Sequence, residues 1–145
     1  MRYMILIKAS ARFEAGIGPE REQAAAFADY SRRMKEAGVL VEAATLLPSA
    51  GGMRMSFPRA GGPPAMISGP SGGADDPVVA GYMLLEAASE QEAYAWAARM
   101  PDPYGFGEGG IELRRLRETD AAEETADLRP LESELRHQLA ALKKR

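Results

Sequence analysis

The sequence has no cysteine, a single histidine and no apolar run long enough to cross a bilayer. Without thiols there is no disulfide, no thiolate nucleophile and no thiolate-held metal. A spanning helix needs about 18 or more consecutive apolar residues, so the pattern predicts no membrane association. Basic residues are not in excess. The 18 Lys and Arg are outnumbered by 21 Asp and Glu, with a net charge of −3 and a pI near 5.3, so nothing marks a nucleic-acid partner. The apolar opening Met4-Ile5-Leu6-Ile7 is too short for a signal peptide, and no small-residue cleavage site follows it. These features fit a cytoplasmic protein. No metal, nucleotide or thiol motif stands out, so no cofactor is expected.

What is present suits one ordinary domain of 145 residues, with 46% apolar and 27% charged residues. Tyr3 to Lys8 is apolar on both alternating faces and reads as a strand buried on both sides. Gly16 to Pro19 breaks the chain. Pro19 is expected at the first helical position, followed by a stripe of Ala24, Phe27, Ala28 and Met34 and a stop at Gly38. Val39 to Leu47 begins as a strand. Met53 to Phe57 alternates, and Ala65 to Ile67 is a short partner, giving an inserted hairpin. Val78 to Glu86 is a further strand. Ser89 and Glu92 form a capping box before a helix face of Ala93, Trp96, Ala97 and Met100, ended by Pro101. Ile111 to Arg117 is the last strand.

This order predicts an α+β, ferredoxin-like β-α-β-β-α-β domain over residues 1–117, with an antiparallel sheet and an extra hairpin. Residues 118–145 read as an acidic linker and an amphipathic C-terminal helix striped by Leu128, Leu131, Leu135, Leu139 and Leu142. That helix is too short to stand alone and must pack on its own domain, on a partner subunit or on another protein. Two helices cover one face of a sheet, yet the strands are apolar on both. The bare face predicts a homodimer.

Several stretches resemble a known family: Arg2-Tyr3-Met4-Ile5-Leu6-Ile7, Ala37-Gly38-Val39-Leu40-Val41, Leu47-Pro48, Arg54, Gly69-Pro70, Gly81-Tyr82 and Ala97-Ala98-Arg99-Met100-Pro101. In this order and spacing, residues 1–117 resemble the YCII-related family in its DGPF branch. The resemblance implies a dimeric α/β barrel and no particular reaction. Some relatives are suspected of using a His and Asp pair. Here the sole histidine, His137, lies beyond the matched region, and the branch motif reads Ser68-Gly69-Pro70-Ser71.

Candidate chemistry is sparse. Asp75 and Asp76 suit an acid–base pair or a cation site, but adjacent aspartates diverge, and a solvated turn before Pro77 is the simpler reading. Arg54 would grip a carboxylate or phosphate if it faced a cavity, and is otherwise an edge-strand arginine. Tyr3 and Tyr82 offer hydroxyls to a ligand or pack in the core. Glu42 becomes a base candidate if it points inward, which alternation alone leaves open. Gly105 to Gly110 imitates a phosphate loop in the wrong structural order and reads as a mobile loop. Tyr104 and Phe106 on it are placed to close a pocket mouth. His137 reads as a surface residue; Trp96, Met34, Met83 and Met100 read as core.

Two functions follow. One is a site for a small metabolite, anions included, between sheet and loops, with cofactor-free acid–base chemistry as the least demanding reaction. The alternative is a non-enzymatic regulatory or scaffold dimer that associates through its C-terminal helix. A pocket gathering Arg54 with Glu42 or a tyrosine favours the first. A filled interior beside an exposed leucine stripe favours the second.

Overall fold

A computed structural model describes residues 1–69, 78–118 and 134–142. Its main sheet holds β1 (Arg2–Lys8), β2 (Leu40–Thr45), β5 (Val79–Glu86) and β6 (Ile111–Arg115) in the order β2-β5-β1-β6, with every pairing antiparallel. This is the ferredoxin-like arrangement expected from the element order. β3 (Met53–Ser56) and β4 (Ala65–Ser68) form a separate antiparallel hairpin inserted between β2 and β5.

The helices follow from local signals. A short α1 (Ala11–Glu14), absent from the sequence reading, starts at Ser10, whose side chain accepts the Phe13 N–H at 3.1 Å. The long α2 (Arg21–Glu36) begins two residues later than Pro19, with Glu20 in an extended conformation at its cap. Pro19 therefore precedes the helix instead of opening it. Gly38 sits just past the end at φ +74°, and the N–H groups of Gly38 and Val39 bond back to Lys35 and Met34. This is a Schellman closure, in which glycine takes the left-handed position without steric cost. In α3 (Glu90–Ala98), Ser89 caps the Glu92 N–H at 3.1 Å. Glu92 reaches back to the Ala88 N–H at 2.8 Å, one residue earlier than a standard box. Residues 134–142 form a fourth helix, α4.

The core lies between one face of the sheet and helices α2 and α3. Tyr3, Ile5 and Ile7 of β1 and Met83 and Leu85 of β5 point into it, with Tyr30, Met34, Ala93 and Trp96 from above. The two helices are joined where the Tyr30 hydroxyl donates to the Trp96 carbonyl at 2.6 Å, under rings packed edge-on 6.1 Å apart. The α2 stripe is rotated from the one expected. Ala24 and Ala28 are exposed, while Tyr30 and Met34 are buried and Phe27 half-buried. Alanine weighs in a hydrophobic pattern without saying which way a helix faces; the larger rings and Met34 decide the rotation.

The opposite sheet face carries Met4 and Leu6 beside Tyr82 and Leu84, all half-buried. Glu42 and Ala44 continue it on β2, and Glu112 and Arg114 on β6. A bulge between Leu40 and Glu42 resets the alternation of β2. Leu40 thereby packs against the core while Glu42, two residues on, stands on the open face.

Candidate functional site

Of the sequence-derived candidates that are described, Glu42 and Tyr82 meet, while Tyr3 and Arg54 stand apart from them. Tyr3 is 2% exposed beneath the helices, and its hydroxyl meets only the Met1 sulfur at 3.9 Å among the contacts described. Tyr82 stands on the other face of the sheet. There its hydroxyl donates to the Glu42 carboxylate at 3.1 Å. That bond favours the neutral phenol and pushes the Tyr82 pKa up. Arg54 lies on the hairpin opposite Ile67, on the wall of a shallow cleft with Leu46, Pro48 and Val78. It shares that cleft with neither Glu42 nor a tyrosine among the described residues. Asp75 and Asp76 lie outside the described residues. Among those described, no three His, Asp or Glu side chains gather as a cation requires.

A different cavity is built, of about 390 Å³, at the end of the sheet where β2 and α1 meet. Its floor is Ile7 of β1 with Ala80 and Gly81 of β5. Phe13 of α1 and Ala24 and Phe27 of α2 form one side, and Thr45 to Pro48 the other. Pro103 and Tyr104 close it from the loop that follows α3. Glycine at position 81 lets β2 come close: a Cβ there would lie 2.7 Å from the Ala44 carbonyl oxygen.

Polar contacts behind the walls hold them in place. Glu14 at the end of α1 accepts both the N–H (3.1 Å) and the hydroxyl of Ser49, tying the short helix to the turn after β2. Asp102 accepts the N–H groups of Tyr104 at 3.0 Å and Gly107 at 2.8 Å, which folds residues 101–110 back on themselves. Those bonds hold the Asp102 carboxyl below the usual carboxylate range. Gly105 and Gly107 take left-handed φ values of +78° and +71° in that turn. The loop is fastened to α1 through Arg12, which stacks 3.9 Å over the Phe106 ring and pairs with Glu108 at 3.6 Å. Tyr104 packs at 5.8 Å from Phe13, is 6% exposed, and is pushed up to about pKa 12 by burial. Of these residues the sequence placed only Tyr104 and Phe106 at a pocket. The signals that could have found the rest are the Ser10 cap before Phe13 and the Asp102-Pro103-Tyr104-Gly105 turn.

A family model of the YCII-related domain matches residues 1–120. The chain belongs to the YCII-related family. No curated protein matches it. The YCII-related region contains every strand of the main sheet and every wall of the cavity; α4 lies beyond it. On α4, Leu135, Leu139 and Leu142 are 51%, 57% and 65% exposed, and His137 is exposed as well. Leu128 and Leu131 lie outside the described residues. No described helix is long and apolar enough to cross a membrane.

Proposed function

We propose that this YCII-related chain is a homodimer that binds a small metabolite between its sheet and the loops at one end. The observation that carries the reading is the cavity of about 390 Å³, within the size range of ligand sites. Its walls are fastened by the Glu14–Ser49 and Asp102 bonds, so the space is preformed. Pairing is supported by the open sheet face. Met4, Leu6, Tyr82 and Leu84 form its centre, with Lys8, Glu42, Glu112 and Arg114 around them. An apolar centre ringed by charge is the usual anatomy of a protein interface.

A second copy laid on that face would also cover the Glu42–Tyr82 pair. A carboxylate hydrogen-bonded to a phenol makes this pair the candidate for cofactor-free acid–base chemistry. The exposed leucines of α4 favour a second reading, in which the dimer is a scaffold and α4 its docking helix.

Sedimentation equilibrium at micromolar concentration tests the pairing. The wild-type chain should be a dimer, and Leu6→Arg should weaken association by at least about 30-fold, as loss of a central apolar contact of 2 kcal/mol or more does. A wild-type monomer under these conditions refutes it. A thermal-shift screen of small acids, phenols and neutral metabolites, repeated on Arg54→Ala, tests the binding. Selective ligands raise the melting temperature by mass action. A hit abolished in Arg54→Ala would place the site at the hairpin instead, and a broad panel without hits would favour the scaffold.

A further inference from the structure

We infer that the cavity takes a neutral, largely apolar ring compound and rejects anions; this rests on the ligand-binding reading above and names its ligand class. Among the described residues, none that lines the cavity carries a charge, and Thr45 and Tyr104 are its polar side chains. Phe13, Phe27 and Tyr104 offer ring surfaces, and flat partners stack on such surfaces in offset or edge-on geometry.

An anion entering this space would leave water without finding a counter-charge. The cation of α1, Arg12, is not on the lining; it stacks over Phe106 and pairs with Glu108. The nearest carboxylates act against an anion. Asp102 accepts the Tyr104 N–H and Glu14 holds Ser49, and both carboxylates add to the upward push that burial gives the Tyr104 pKa. A cation finds no carboxylate on the lining to pair with either, because Glu14 and Asp102 stand behind it, bonded to Ser49 and to the Tyr104 and Gly107 N–H groups. What remains is a neutral ligand, oriented by hydroxyl contacts.

Two fluorescent probes with one skeleton separate shape from charge. N-phenyl-1-naphthylamine is neutral, and 8-anilino-1-naphthalenesulfonate is the same ring system bearing a sulfonate. Titrated into the full-length chain, the neutral probe should bind saturably and at least tenfold more tightly. Ala24 lines the cavity from an exposed helix position, so Ala24→Trp fills the space without disturbing the core, and should weaken the neutral probe at least tenfold. Thr45→Lys, on an exposed strand position of the wall, should reverse the preference towards the sulfonate. Circular dichroism checks that each variant is folded, and either variant alone suffices. If the sulfonate binds as tightly as the neutral probe and both are lost in Ala24→Trp, the ligand class is wrong while the binding site stands. If neither variant changes the binding of either probe, the cavity is not a binding site and both readings fall.

Discussion

Replacing Gly81 by alanine should loosen β2 from the sheet, and the size of the effect can be worked from the geometry. A Cβ on residue 81 would sit 2.7 Å from the Ala44 carbonyl oxygen, 3.4 Å from the Thr45 Cα and 3.6 Å from the Ala44 carbonyl carbon. All three atoms are backbone, so no side chain can swing aside. β2 is an edge strand, bonded within the sheet to β5 alone, and must retreat as a body. Such overpacking costs about 1–3 kcal/mol. For a domain of this length that is a fall of roughly 3–10 °C in melting temperature. Gly110→Ala is the control. It also lacks a left-handed φ, and its Cβ would meet only the Lys8 Cγ at 3.8 Å, an ordinary contact. It should be neutral or stabilising by up to about 1 kcal/mol, since alanine restricts the unfolded chain. Paired calorimetric melts of the two variants decide the matter. If Gly81→Ala melts with the wild type, β2 does not approach β5 as closely as described, and the floor of the cavity is drawn wrongly.

Tyr30→Phe removes the buried bond to the Trp96 carbonyl and should cost about 1–2 kcal/mol in denaturant unfolding. Tyr30 and Tyr104 are both pushed up to about pKa 12 by burial, against 10.0 for free tyrosine. Their contribution is therefore complete below pH 10 and disappears as pH rises from 10 towards 12; tyrosinate absorbance should appear together with unfolding, and Tyr30→Phe should flatten that slope. Asp102 shifts the other way. Its folded pKa lies below the ordinary 3.8, so its support for the 101–110 loop is present above that pH and fades as pH falls through the folded value. Tyr104 resonances should then report loop loosening in acid, and Asp102→Asn should show the same loosening at neutral pH.

Apart from the short α1, element order was legible because the elements announce themselves locally. Ser89 and Glu92 mark a helix start and Gly38 a helix end through hydrogen bonds that span a few residues. The alternation of β1 is equally local, because successive side chains of a strand point to opposite faces.

The rotation of α2, the facing of Glu42 and the location of the cavity were not legible, for one physical reason: each depends on atoms distant in the chain. The bulge that turns Glu42 outward exists only in the pairing of β2 with β5. The cavity joins Phe13, Thr45, Gly81 and Tyr104, which share no spacing and no motif. Tyr3 and Tyr82 look alike in sequence, as hydroxyls on central strands, yet fall on opposite faces of one sheet. By itself, then, the sequence determined the strands and the longer helices, though not the short α1, and that both faces of the sheet carry apolar residues. Tertiary structure alone decided which of those faces the helices cover and where space is left for a ligand, because packing is settled between elements and not within them.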